Sequence, residues 1–149
     1  MNILPGFDII IMKITRRRAR EKAVILLYQK DLLKKNPEEI IENDRLVGKI
    51  FDEFSLKLIS GVIGNLKEID SIISSTVKNW SLDRIAVIDR NILRVAIYEM
   101  LYEDDIPLKV SVDEAIEIAK NLGQKPDTPK FINGVLGKFL NKISDDIKE

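Results

Sequence analysis

Apolar residues recur at every third or fourth position along almost the whole chain, and no useful stretch alternates apolar and polar residues with a period of two. Spacing of the first kind places apolar side chains on one face of a helix, whereas alternation would indicate a strand. We therefore predict an all-α fold of six or seven helices packed into one compact unit. The apolar stripes lie over residues 16–35, 46–77, 87–100, 111–122 and 128–143.

Capping signals set the expected helix boundaries. Asn36 and Thr128 each stand directly before a proline, which is typical of a helix start. Ser111 and Glu114 match a capping box, so we expect a helix to begin there. Gly123 follows the last apolar residue of that helix and is expected to end it in a left-handed conformation.

Two glycines interrupt the stripe over residues 46–77, which predicts one long helix or two collinear ones. Gly61 and Gly64 each cost a helix about 1 kcal/mol relative to alanine, so we expect them to mark a kink or a close crossing of helices. Trp80 and Ser81 then mark a break before a short turn. This break would divide the chain into two small bundles that share a core.

Composition excludes several classes of site. The 149 residues contain no cysteine and no histidine, which excludes disulfides, zinc fingers, thiol nucleophiles and histidine-ligated metals. Neither phosphate-binding glycine motif, G-x-x-x-x-G-K-[ST] or G-x-G-x-x-G, occurs. An enzyme would depend on carboxylates, lysines or hydroxyls, and a divalent cation would need acids such as Asp83, Asp89, Asp104 and Asp105. We expect a binding protein without a cofactor instead of an enzyme.

The charge of the chain is unevenly distributed. Lys and Arg total 24, as do Asp and Glu, so the formal net charge is zero. Residues 1–35 nevertheless hold nine basic and three acidic side chains, an excess of six positive charges. A basic end on an acidic body indicates a polyanion at one end and a different partner elsewhere, unless the charges only solvate a helix.

Four arginines crowd the start of the first predicted helix: Arg16, Arg17, Arg18 and Arg20. Cations are unfavourable near the positive end of the helix dipole, so the cluster points to phosphate groups bound at that place. Tyr28 is expected on the solvent side of the same helix, where a base could stack on it. The alternative is a half-buried tyrosine ring packed against a neighbouring helix.

A second candidate site opens the last predicted helix. Lys130 and Phe131 place a cation beside an aromatic ring, which suits a phosphate and a base, although Phe131 could instead belong to the core. Asn133 and Gly134 lie inside the same helix. There they indicate a close backbone approach or a buried amide.

No segment has the sequence features of a secretion signal or a membrane span. The apolar stretch at residues 7–14 precedes the basic cluster, whereas a secretion signal has the reverse order. No run approaches the roughly 20 apolar residues that cross a bilayer. We expect a cytoplasmic protein, with residues 1–12 as a flexible leader or upstream start and residues 13–145 as a single domain.

Several sequence blocks in a fixed order carry a resemblance to a known family. The blocks are residues 16–21, 27–28, 80–82, 89–99, 106–107, 113–120 and 130–136. Together they resemble the NusB family of bacterial transcription antitermination factors, over about residues 13–143. The resemblance implies an all-helical fold of two perpendicular three-helix bundles. The basic cluster of the family normally lies almost at the N-terminus, so residues 1–11 depart from its pattern.

The resemblance also implies a function and a set of site residues. The family binds the boxA element of ribosomal RNA leader transcripts together with NusE, a small-subunit ribosomal protein, and joins RNA polymerase and other Nus factors to suppress termination. The implied RNA site consists of Arg16, Arg17, Arg18, Arg20, Tyr28, Asp127, Lys130 and Phe131. Asp83 and Asp89 become candidates for the protein partner's side. Their alternative is to cap the following helix or to pair locally with Arg84 or Arg90.

Two other interpretations stay open. The chain could be a helical adaptor without an RNA site of its own, whose basic end only aids solubility. A similar domain also leads some ribosomal RNA cytosine methyltransferases, so a stand-alone relative of that domain is a further alternative. Those enzymes carry a large additional domain, and this chain ends at Glu149. Self-association into a homodimer is also open.

Overall fold

The computed structural model describes the backbone of residues 7–78 and 80–148 and the side chains of residues 15–78 and 80–144. Within these residues the chain forms seven α-helices and one short 3-10 turn, without a strand. The helices are α1 (Phe7–Leu33), α2 (Pro37–Leu46), α3 (Glu53–Gly64), α4 (Leu66–Thr76), α5 (Val87–Tyr102), α6 (Leu108–Leu122) and α7 (Thr128–Lys148), and the turn is Leu82–Arg84. The predicted all-α fold is confirmed.

Helix α5 lies at the centre of the molecule. Every residue from 91 to 100 is buried, because α1, α3, α4, α6 and α7 all pack against this helix. Helices α1, α2 and α3 form one group, α6 and α7 form a closely packed pair, and α4 contacts α5 and α7. The two groups of helices therefore share one core, as the break near Trp80 predicted.

Helix α1 begins at Phe7, nine residues before the predicted start at Arg16. Residues 7–12 of the predicted leader are therefore helical, whereas residues 1–6 lie outside the described residues, and the flexibility of the leader stays a prediction. The earlier start corrects the argument from the helix dipole, because the effect of the dipole falls off within the first turn. The arginine cluster lies more than two turns into α1.

The predicted starts of α2 and α7 are confirmed. Asn36 caps α2 by accepting a hydrogen bond from the backbone N–H of Glu38 at 3.0 Å. Helix α7 begins at Thr128. The short turn after Ser81 is also present, although the Ser81 side chain forms no capping hydrogen bond.

The long apolar stripe contributes to three helices instead of one or two. Helix α2 ends at Leu46, and Asp52 starts α3 by accepting a hydrogen bond from the backbone N–H of Ser55 at 2.8 Å. Between them Gly48 adopts a φ of +83°, which glycine tolerates and other residues rarely do. The continuous helix predicted from Leu46 was wrong because the N-cap at Asp52 begins a new one.

The two glycines of that stripe mark a close crossing of helices and the end of a helix. A Cβ atom at Gly61 would overlap the ring of Tyr98 on α5, so the absence of a side chain lets α3 approach α5. This confirms the predicted close crossing. Gly64 ends α3, and the chain continues as α4 after Asn65, so the second glycine marks a break between two helices.

Two predicted boundaries of α6 were wrong. The helix begins at Leu108, so Ser111 lies inside it, and the buried Ser111 hydroxyl donates to Glu99 at 3.4 Å instead of capping. Gly123 has a φ of −59°, which is not left-handed. Glycine is required there for a different reason, because a Cβ atom would come within 2.6 Å of the Cβ of Thr128.

Candidate nucleic-acid interface

Two of the four arginines of α1 hold the helix against its neighbours. Nε and Nη2 of Arg20 donate to the two carboxylate oxygens of Glu99 on α5, each at 2.8 Å. Arg17 donates in the same way to Glu114 on α6, at 2.7 and 3.1 Å. The hydrogen bonds to Glu114 raise the pKa of Arg17 above its ordinary value, against the opposing effect of burial. These pairs fix the position of α1 in the fold.

Arg20 does not belong to an accessible RNA surface. It is 3% exposed, and the carboxylate of Glu99 occupies its donors. The prediction that Arg20 contacts RNA was therefore wrong, since a phosphate could reach it only by displacing a buried carboxylate. Arg17 differs because 35% of its side chain remains exposed, so a phosphate can still approach it.

Arg16 and Arg18 carry the accessible charge of the cluster. Arg18 is exposed, and Arg16 is half-buried with its guanidinium carbon 4.6 Å from the centre of the Phe54 ring. A cation–π contact orders a guanidinium without neutralising it. Neither arginine forms an ion pair within the described residues. The Arg16 guanidinium, which is ordered but not neutralised, suits a phosphate ligand, and the exposed Arg18 adds a second charge.

Tyr28 is half-buried on α1 and packs against the core. This position agrees with the alternative of a ring against a neighbouring helix, while part of the residue stays exposed. Tyr28 lies eleven residues beyond Arg17, which is about 17 Å along the helix axis.

The start of α7 places Lys130 and Phe131 beside an exposed tryptophan. Lys130 is exposed, and the half-buried Phe131 ring lies 6.4 Å from the Trp80 ring, centre to centre, with the planes inclined by 35°. Asp127 is exposed, and its backbone carbonyl accepts a hydrogen bond from the N–H of Phe131 at 3.1 Å. The sequence interpretation placed Trp80 at a break and missed it as a site residue, although a tryptophan outside any apolar stripe was the available signal.

Asn133 and Gly134 do not have the buried environment that the sequence predicted. Both are exposed on α7, and a Cβ atom at Gly134 would meet nothing within 4 Å. The prediction of a close backbone approach or a buried amide was wrong, because these two residues face away from the core side of α7.

Asp89 is buried near the start of α5 and holds the turn that precedes α7. Its carboxylate oxygens accept hydrogen bonds from the backbone N–H of Gln124 at 3.0 Å and from the hydroxyl of Thr128 at 3.1 Å. It does not cap α5, whose N-cap residue is Ala86, and it forms no ion pair with Arg90. Both interpretations of Asp89 were therefore wrong, since at 7% exposure it is also closed to a protein partner.

Asp83 has the opposite environment. It is exposed in the turn Leu82–Arg84, where its carboxylate forms no hydrogen bond or ion pair within the part of the chain that the structure describes. That part also contains no group of three or more acidic side chains placed to hold a metal ion. Nor is any helix in the described ranges both long and apolar enough to cross a membrane.

The arginine cluster of α1 and the region of Lys130 and Phe131 on α7 lie towards opposite ends of α5. Near its end, Glu99 binds Arg20 of α1, and near its start, Asp89 binds Thr128, the first residue of α7. Ten residues of α5 separate these two carboxylates, which is about 15 Å along the helix. A ligand that uses both regions must therefore be extended, as a strand of several nucleotides is.

Comparisons with known proteins agree on one family. The sequence profile of the NusB family matches residues 17–141. Over 128 residues the chain is 48% identical to the transcription antitermination protein NusB of Bacillus velezensis, covering 86% of this chain and 97% of that protein. The fold is similar to that of T. maritima NusB, with a TM-score of 0.73, 40% identity and coverage of 83% of this chain and 88% of that one. It is also similar to a chain in the crystal structure of antitermination factors NusB and NusE in complex with dsRNA, with a TM-score of 0.68, 29% identity and coverage of 83% and 93%.

Proposed function

This chain belongs to the NusB family, and we propose that it is an RNA-binding transcription antitermination factor. It binds boxA-type RNA of ribosomal RNA leader transcripts together with NusE, and with other Nus factors it helps RNA polymerase to resist termination. The similarity to the solved assembly of NusB and NusE with RNA supports this proposal. Its action is binding without a catalytic step, and its place is the cytoplasm.

The accessible arginines of α1 carry the proposal. Arg16 and Arg18 keep their full charge, because no acidic side chain of the described residues neutralises them. Arg17 adds a third positive charge at the same end of α1, which is partly balanced by its ion pair with Glu114. A surface of this kind attracts a polyanion, and neutralising phosphates releases counterions, so the resulting affinity depends on salt.

The RNA strand runs from the arginine cluster of α1 towards the start of α7. Arg16, Arg17 and Arg18 hold phosphates at one end, and Lys130 holds another towards the opposite end of α5. Tyr28 lies between these regions along α1 and offers the exposed part of its ring to a base.

Phe131 and Asp127 act at the far end of the strand. Phe131 stacks on a base, and the exposed carboxylate of Asp127 accepts a hydrogen bond from an exocyclic amine. A carboxylate beside Lys130 also weakens the local attraction for phosphate, so Asp127 favours base recognition over charge neutralisation.

The partner surface lies around Asp83 and excludes Asp89. Asp83 presents an unneutralised carboxylate in an exposed turn, which suits a basic protein such as a ribosomal protein. Asp89 contributes indirectly, because it fixes the turn between α6 and α7 from which Lys130 and Phe131 project.

Binding of RNA by this chain distinguishes the proposal from its alternatives. A gel-shift titration with a boxA-like and a scrambled single-stranded RNA, each with and without NusE, is expected to give tighter binding of the boxA-like strand and a further gain with NusE. Binding of NusE without binding of either RNA strand would favour the adaptor without an RNA site.

A further inference from the structure

We propose that the groove between Trp80 and Phe131 holds one unpaired base of the RNA strand. This inference rests on the proposed function and goes further, because it assigns a binding groove for one base and a base-stacking residue, Trp80, to which the sequence analysis gave no role. The groove has a volume of about 560 Å³ and lies between the end of α4, the segment at Trp80 and the start of α7. Its lining residues include Lys78, Trp80, Lys130, Phe131, Gly134 and Lys138.

The Trp80 and Phe131 rings contact each other at an angle and leave part of Trp80 open to the groove. Their centres are 6.4 Å apart and their planes are tilted by 35°, so they do not stack in parallel. Trp80 leaves 51% of its surface exposed, which is a large apolar area to leave in water. A planar base against Trp80 covers that area, and every base has a face that stacks.

The charge around the groove matches a nucleic acid. Lys78, Lys130 and Lys138 line it, and the described lining residues include no carboxylate. None of the three lysines forms an ion pair within the described residues. Aromatic rings flanked by free cations are the combination that binds single strands, with phosphates on the cations and bases on the rings.

Gly134 gives independent support for a ligand in this groove. Glycine weakens a helix interior, and packing does not require it here, because a Cβ atom would meet nothing within 4 Å. A side chain at this position would instead project into the groove, since Gly134 lines it. The exposed glycine therefore keeps the groove open at a cost to the helix.

An unpaired base fits this groove better than a duplex does. Bases inside a duplex are stacked on one another and cannot insert between protein rings, whereas unpaired bases can be splayed out onto them. A protein segment is the other class of occupant, but three lysines without a carboxylate favour an anionic strand.

The test uses Trp80 as its own reporter, because it is the single tryptophan of the chain. The full chain is titrated with a boxA-like single-stranded RNA and with the same strand annealed to its complement, while tryptophan fluorescence and affinity are recorded. We expect the single strand to quench the fluorescence and the duplex to leave it unchanged. Quenching by the duplex to the same extent would overturn the assignment of an unpaired base.

A filling variant tests the groove without removing any contact. Gly134→Gln is expected to weaken binding of the single strand by about 5- to 150-fold, the range for the loss of one stacked base, and to abolish the quenching. Its midpoint of thermal unfolding should equal or exceed that of the parent chain, because glutamine is a better helix former. Gly137→Gln is the matched control, since Gly137 lies on the same helix with open space at its Cβ and does not line the groove.

The outcomes separate this inference from the proposed function. If Arg16→Ala with Arg18→Ala weakens RNA binding while Gly134→Gln changes neither affinity nor fluorescence, the groove assignment fails and the RNA-binding function stands. If Gly134→Gln weakens binding of NusE and leaves RNA binding intact, the groove belongs to a protein and the assignment fails as well. If the parent chain binds no RNA with or without NusE, both proposals fail.

Discussion

Arg20 of α1 and Glu99 of α5 form a two-point ion pair with both bonds at 2.8 Å, and their side chains are only 4% and 1% exposed. Four residues earlier on the same helix, Arg16 faces a phenylalanine ring and keeps its charge. Arg20 lies over the same phenylalanine ring, so the two arginines share a helix face and differ in whether a carboxylate pairs with them. The arginine cluster therefore has two roles, because the ion pairs of Arg17 and Arg20 hold the fold and the unpaired Arg16 and Arg18 can meet a ligand. The following predictions separate these two roles.

Arg20→Ala should destabilise the fold by about 3–5 kcal/mol, because it leaves the buried carboxylate of Glu99 without its partner. Urea unfolding followed by circular dichroism measures this loss. Arg18→Ala is the control on the exposed face and should change the free energy of unfolding by less than about 0.5 kcal/mol. Equal stability of the two variants would contradict the structural role of Arg20.

Arg16→Ala combined with Arg18→Ala should reduce the salt dependence of RNA binding and leave stability nearly unchanged. Each phosphate neutralised on a single strand contributes about 0.7 to the slope of log affinity against log salt, so the slope should shrink by about 1.4. Titrations at several salt concentrations give the slope. An unchanged slope would place the phosphate contacts elsewhere.

Asp83→Lys and Asp89→Asn should have opposite consequences. Asp83 is exposed, so the lysine variant should fold normally and bind NusE more weakly. Asp89 accepts two buried hydrogen bonds, from Gln124 and Thr128, so the asparagine variant should lose about 1–3 kcal/mol of stability. Calorimetric titration with NusE and urea unfolding distinguish the two. Loss of NusE binding by a fully folded Asp89→Asn variant would show that Asp89 does reach the partner.

Phe131→Ala should affect both RNA binding and stability. The residue is half-buried, so we expect about half of the 3–5 kcal/mol that a fully buried phenylalanine costs on truncation. Loss of a stacked base should weaken RNA binding by about 1–3 kcal/mol. Binding measured well below the unfolding temperature isolates the second effect. Unchanged RNA affinity in a folded variant would remove Phe131 from the RNA site.

Stability should fall as pH rises above about 10, because of a cluster between α3 and α5. The Tyr98 hydroxyl and the Lys57 ammonium both donate to Glu103, at 3.3 and 3.0 Å. Burial, reinforced by Glu103, raises the pKa of Tyr98, and the hydrogen bond to Glu103 raises the pKa of Lys57. The folded chain therefore holds these protons more tightly than the unfolded chain, so stability is full below about pH 10 and is lost as pH rises through the folded pKa values.

Urea unfolding at about pH 8 and about pH 10.5 measures this loss. Tyr98→Phe keeps the ring that packs on Gly61 and removes the titrating hydroxyl, so its loss of stability between the two pH values should be smaller. A variant with the same loss as the parent chain would assign the effect to other groups.

The helices could be predicted from sequence because apolar periodicity reports directly which face is buried. The same reasoning failed where a polar residue is buried through a distant partner. Arg20 and Asp89 were both interpreted as surface residues, and their partners, Glu99 and Thr128, lie 79 and 39 residues away. No local pattern contains that information, since the pairing exists only after α1, α5 and α7 have packed.

The capping prediction at Ser111 failed for a related reason. Ser111 and Glu114 do match a capping box, but Glu114 is occupied by Arg17 and the Ser111 hydroxyl by Glu99. Tertiary ion pairs outweigh the local motif, so α6 starts one turn earlier, at Leu108. Trp80 was missed as a site residue because the sequence does not show that its ring lies beside Phe131, 51 positions further along the chain.

The burial of α5 on all sides determines how the chain can be divided. Helices from both groups pack against this one helix. A fragment that ends before α5 would therefore lack its core, and a fragment that begins at α5 would expose the side that α1 and α3 cover. Neither half should survive excision as a folded piece, and a protease should find its first cuts in the connecting segments instead of releasing a stable half. Ligands at either end of the molecule thus act on a single cooperative body.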